Sequence, residues 1–188
     1  MRSVAQHLAW VVSMVYAAVP VFWSFIHPLV DFWRRQKRSP YWVLLPAQGA
    51  TIALGLLLTW PWHRVTLYDT PYAWIAALPF IGTAMFIFRG VKTHFTNQQM
   101  VGRNELAPDR FEQRLVTTGL HARVRHPIYG AHFLMLLGWT VGSGLLVCYA
   151  MVGFALVAGA IMITLEEDRK STRLNSSHIQ KSRMPSSA

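Results

Sequence analysis

The chain has 188 residues, 53% of them hydrophobic and 14% charged, with a net charge of +10; soluble domains carry roughly 25% charged residues. The charges are bunched: none falls in the 28 residues between Arg2 and Asp31, the 25 between Arg38 and Arg64, the 19 between Asp69 and Arg89, or the 40 between Arg125 and Glu166. Uncharged apolar runs of about 18 residues or more have no polar face to turn to water and read as membrane spans. A water-soluble domain is excluded, and an all-α integral membrane protein is expected.

Taken in order, the first gap gives a span at Val4–Ile26, too long for a secretory h-region and so read as retained. The second and third give spans at Tyr41–Trp62 and Pro71–Phe88. As one helix, the fourth gap would be about 60 Å long, twice the hydrocarbon thickness of about 30 Å. It must fold back, and Gly142-Ser143-Gly144 is the strong breaker near its centre. The expectation is a helical hairpin of Ile128–Val141 and Leu145–Leu165, making about five transmembrane helices. Trp33, Tyr41, Trp42, Trp60, Trp62, Tyr72 and Trp74 flank the spans as interface anchors. Pro20, Pro46 and Pro79 fall inside them, and Gly153, Ala155, Ala158, Gly159 and Ala160 offer small residues for close helix contact.

Loop charges set the orientation. Segment 31–40 carries Arg34, Arg35, Lys37 and Arg38, segment 89–125 carries seven bases, and segment 63–70 carries Arg64 alone. The positive-inside rule puts the N-terminus outside and both base-rich segments in the cytoplasm, with Glu166 and Glu167 on the same face. The bases are thus explained by topology, and no nucleic-acid partner is expected. Cys148, the sole cysteine, lies in an apolar run, so there is no disulfide framework or CxxC site. His121, His126 and His132 do not match a zinc spacing, so no metal is expected. His7, His27, His63 and His94 fall in loops or at span ends without an evident partner, and nothing in the sequence sets an oligomeric state.

The chain therefore divides into 1–90, three N-terminal spans; 91–168, a cytoplasmic loop with the hairpin; and 169–188, a polar tail with six Ser and five bases. The tail should lack regular structure. It also resembles translated sequencing-adapter sequence of the kind found on truncated metagenomic gene models, and is expected to be non-native.

Chemistry concentrates where the long loop enters the hairpin. Pro127 suits the first turn of a helix and holds His126 out of helical conformation. Arg125 and His126 are presented at a helix N-terminus that favours anionic groups, with Tyr129 in the first turn. Glu166, Glu167 and Asp168 sit at a helix C-terminus, where the dipole prefers cations. On residue types alone Arg125 and Tyr129 could equally be headgroup anchors, and the acids a solvated terminus. The functional alternative is one cytoplasmic-face site holding a base, an imidazole, a phenol and a carboxylate.

Residues 114–130, RLVTTGLHARVRHPIYG, resemble the isoprenylcysteine carboxyl methyltransferase family of integral-membrane enzymes, related to the phospholipid N-methyltransferases. The turn Leu115-Val116-Thr117-Thr118-Gly119, the stretch Arg125–Tyr129, the hairpin and Glu166-Glu167 stand in the family's order, and Gly102-Arg103-Asn104 resembles a stretch in bacterial members. The resemblance implies a carboxyl O-methyltransferase-like enzyme of a bacterial inner membrane. It would transfer methyl from S-adenosylmethionine to a lipid-like acceptor, either a prenylcysteine-type carboxylate or a lipid amine. Cofactor contacts are implied for Gln113, Arg114, Leu115, Val116, His121, His126, Pro127, Ile128, Tyr129 and Glu166, with Arg125, His126 and Glu166 as the catalytic set. Two features depart from the family. The turn before the Glu pair has no base, leaving Arg125 or Arg123 to hold an acceptor carboxylate, and the aromatic segment that normally follows the pair is replaced by the polar tail. Competing expectations are an NADPH-dependent sterol-reductase-type enzyme, or a non-catalytic or truncated membrane protein.

Overall fold

Every regular element among the described residues of the computed structural model (4–36, 39–93, 96, 102–106 and 122–182) is a helix. They are α1 Val4–Ala17, α2 Val19–Ile26, α3 Val30–Arg35, α4 Tyr41–Thr59, α5 Tyr72–Lys92, α6 Arg103–Leu106, α7 Pro127–Ser143 and α8 Leu146–Ser182. Pro20 lies in the first turn of α2, where its missing N–H leaves no bond unmade. Backbone bonds from Ala18 to Met14 (3.0 Å) and from Phe22 to Ala18 (3.2 Å) keep α1 and α2 in one kinked run.

Four runs are long and apolar enough to cross a membrane: Val4–Ile26, Tyr41–Thr59, Tyr72–Lys92 and Leu146–Arg169. The outer surface agrees with a membrane protein, since Leu54, Leu57 and Leu58 of α4, Ile75 and Phe86 of α5, and Val157 and Ile161 of α8 are all more than half exposed. The fifth expected span, α7, has 17 residues and rises about 25 Å, short of a full crossing. Two boundaries also differ from expectation. Helix α4 stops at Thr59, before Pro61, and α5 runs on to Lys92, where Arg89 and Lys92 suit the negative end of its dipole.

The tail departs further. Where the sequence reading expects residues 169–188 to lack regular structure, the backbone stays helical to Ser182. A helix already nucleated by the span extends at little cost per residue, and the Arg, Lys, Leu and Gln of this stretch are good helix formers.

The hairpin of α7 and α8 is the centre of the packing. Its turn is Gly144, in the left-handed region at φ 64°, which caps α7 through a bond to Thr140. A Cβ at this position would collide with the Tyr68 backbone. Helix α5 runs antiparallel to α7, with Trp74 seated on Gly142, Ile81 on Gly138 and Phe88 against His132. Trp74, expected as an interface anchor, is therefore a packing residue, edge-on to Trp139 at 5.8 Å. The main core joins α1 to the hairpin through Trp10, Met14, Ala17, Leu136, Cys148 and Met151. Helix α4 is peripheral; of its residues Leu44 alone is buried.

At the turn end of the hairpin a small clasp closes the molecule. Thr66 and Leu145 form a β-bridge, with Leu67 N–H donating to Gly144 O (2.8 Å) and Leu146 N–H to Val65 O (2.9 Å). The Tyr68 hydroxyl donates to Val141 O at 2.8 Å and accepts from Tyr149 at 2.6 Å. Burial, then the Tyr149 contact, push its phenol above the ordinary range. His63, given no partner by the sequence reading, is buried between the indoles of Trp10 and Trp60, with ring centroids 4.7 and 4.6 Å away.

Candidate functional site

The other end of the hairpin gathers the polar residues. His126 is the N-cap of α7, held at φ −128° and ψ 61° by the following proline, and Tyr129 stands in the first turn. Glu166 comes back to them on α8, 37 positions later, because the hairpin is antiparallel. His27 follows the end of α2, its N–H bonded to Trp23 O at 2.9 Å.

Glu166 Oε2 is the hub. It accepts from the Tyr129 hydroxyl at 3.0 Å and lies 3.5 Å from His27 Nε2 and 3.7 Å from His126 Nδ1. A phenol has one proton, and Tyr129 gives it to Glu166. Its 3.1 Å contact with His27 Nε2 must then be a bond that the imidazole donates, which fixes the proton on Nε2. The Glu166 side chain is 6% exposed and that of His27 1%, so these contacts are made where an unpaired carboxylate would be costly. Flat rings support the donors: Trp23 stacks on His27 (5.2 Å, 17°) and His126 on Tyr129 (5.3 Å, 12°).

Solvent takes over one residue further out. Glu167 Oε1 meets Arg125 at 3.4 Å and His126 Nε2 at 3.6 Å, but the Arg125 side chain is 86% exposed. An ion pair this open contributes little to stability. His126 thus stands between the buried acid and the exposed one.

Below the cluster lies an apolar cavity of about 370 Å³ between the α1–α2 run, α7 and α8, with His126 and Tyr129 in its wall. Each wall is one helical stripe: Tyr16, Val19 and Pro20; Tyr129, His132, Phe133 and Leu136; Ala155, Gly159, Met162 and Ile163. The small residues of α8, expected to bring helices into close contact, do so in part: Ala155 is buried in the main core, and a Cβ on Gly159 would meet Pro20 of α2 at 4.0 Å. Ala155, Gly159 and Ala160 also line the cavity, while Gly153 has nothing within 4 Å.

Of the residues implied by the resemblance, His126, Tyr129 and Glu166 converge on this cluster. Among the described residues, Arg125 meets it through Glu167. Pro127 is buried beside it, and Ile128 contributes a carbonyl to His132 rather than a wall. Gln113, Arg114, Leu115, Val116 and His121 lie outside the described residues. Comparison with family models, with curated proteins and with solved structures gives no match for this chain.

The sequence reading missed His27. A signal was present, since Trp23 and His27 are one helical turn apart at the end of the first span, on the face of the membrane assigned to Arg125 and Glu166. Charge patterning gives the face but not the neighbours, so the contact itself was beyond reach.

Proposed function

We propose that this protein is a membrane methyltransferase that transfers methyl from S-adenosylmethionine to a lipid-like acceptor. The observation that carries the reading is a buried carboxylate, Glu166, bonded by a phenol and flanked by two imidazoles at the head of an apolar groove between membrane-length helices. An embedded acid suits a cationic sulfonium, and the groove suits a hydrocarbon chain. The groove walls are too apolar for an adenosyl group. The described residues that would meet the cofactor are Glu166, Tyr129 and His126, and the resemblance implies Gln113, Arg114, Leu115, Val116 and His121 for the remainder.

S-adenosylmethionine would supply the methyl group on its sulfonium. The chain's own part is positioning and electrostatics, which dominate an in-line displacement. Tyr129 and His27 hold the Glu166 carboxylate in one orientation, and the groove aligns the acceptor's chain while excluding water. A carboxylate acceptor is already ionised near neutrality and needs no general base. For an amine acceptor, the partly exposed His126 is placed to take the proton. In this reading the site faces the cytoplasm of a bacterial inner membrane and the N-terminus lies outside, on the charge bias of segments 31–40 and 89–125.

Calorimetric titration of the purified protein with S-adenosylmethionine and, separately, NADPH tests the reading. Saturable binding of the first alone is expected. Glu166→Gln should weaken it at least tenfold, about 1.4 kcal/mol, while Glu167→Gln should change it less than twofold. Binding of NADPH alone, or indifference to Glu166→Gln, would overturn the proposal.

A further inference from the structure

Two polar groups stand unused inside the groove. His132 lies one turn beyond Tyr129 on the same face of α7, and its Nδ1 is 2.8 Å from Ile128 O. A carbonyl oxygen can only accept, so Nδ1 carries a proton, and in the neutral ring Nε2 is left as an acceptor. Tyr16, across the groove on α1, meets the His132 ring at 5.7 Å between centroids. Among the described residues, its hydroxyl has no hydrogen-bond partner, and Nε2 of His132 has none either. Both side chains line the cavity, whose other walls are Pro20, Phe133, Leu136 and Leu156 and the small residues of α8. Both residues are partly exposed, so their polar atoms stand open to a group that enters the groove.

We infer that Tyr16 and His132 form a recognition point for a hydroxyl group on the chain of the bound lipid. One hydroxyl satisfies both, donating to His132 Nε2 and accepting from the Tyr16 phenol; an ether or ester oxygen could serve only the phenol. Tyr129 and His132 are a helical turn apart, which sets the hydroxyl about 5–10 Å from the head group held at Glu166. The ligand class is a single-chain amphiphile with a polar head and one hydroxyl some four to eight carbons along it. This inference rests on the reading of the groove as the acceptor's seat and names the acceptor's class.

The test uses tritiated hexadecylamine and its 4-, 6- and 8-hydroxy analogues, binding the full chain in a scintillation proximity assay without S-adenosylmethionine. At least one hydroxy probe should bind tenfold more tightly than the plain amine. Tyr16→Phe and His132→Phe should each cut that preference at least threefold. Wild-type affinities all within twofold of the plain amine would overturn the inference without any variant having to fold. So would a preference that survives both substitutions. If S-adenosylmethionine binds but no amine does, the recognition point fails and the methyltransferase reading stands. Hydroxyl preference in a protein that ignores the cofactor would instead keep the recognition point and overturn the methyltransferase reading.

Discussion

Tyr129 uses both sides of its hydroxyl, giving its proton to Glu166 and taking one from His27. Tyr129→Phe keeps the ring stacked on His126 but leaves a buried carboxylate one donor short, a loss of about 1–3 kcal/mol. Thermal unfolding in detergent should show that drop. Arg125→Ala, which removes an exposed pair, should cost less than about 1 kcal/mol in the same measurement. The difference also says which residues a sequence can disclose. Pro127 announces His126 because the restriction before a proline is local, and Glu166 is flagged by closing a long uncharged run. His27 and Tyr16 look like span-end and span-interior residues until another helix is laid beside them.

Among the elements, the hairpin was legible and its surroundings were not. A 40-residue uncharged gap with glycines at its middle admits few solutions in a bilayer. Which helix packs on it depends on indole and glycine shapes, and Trp74 on Gly142 is a fit that hydropathy does not encode. Nor does composition separate a close-contact stripe from a groove wall; Gly159, beside Pro20 and in the cavity lining, is both. Gly144 is where the backbone itself constrains the residue, through its left-handed φ and the nearby Tyr68 backbone. Gly144→Ala should destabilise by at least about 1 kcal/mol, since an L-residue there is strained as well as crowded. Gly153→Ala, in open space on α8, should be neutral or stabilise by up to about 1 kcal/mol. Unfolding midpoints of the two variants, measured side by side, check the contrast.

At the scale of the whole molecule the two ends differ. One carries the cluster at Glu166, the other the clasp at Thr66 and Leu145, and Arg64 lies beside the clasp. With bases concentrated in segments 31–40 and 89–125, the clasp end should be the outer one. In a Cys148→Ala background, Arg64→Cys should react with an impermeant maleimide added from outside, and labelling from the cytoplasmic side alone would reverse the orientation. Apolar runs and charge bias are readable from the chain itself, because the bilayer imposes both. Whether a 17-residue helix such as α7 crosses fully is decided by its neighbours.

The clasp bears on how the protein is made. Val65 and Leu67 are synthesised about eighty residues before Leu146 and Gly144, their respective partners. Until the hairpin emerges, water must hydrate that carbonyl and amide, so segment 63–70 has to wait at the aqueous boundary rather than sink into the lipid. When the hairpin does insert, its turn reaches the clasp as Glu166 reaches His27 and Tyr129. The hairpin therefore completes contacts at both of its ends, the clasp at Gly144 and Leu146 and the cluster at Glu166.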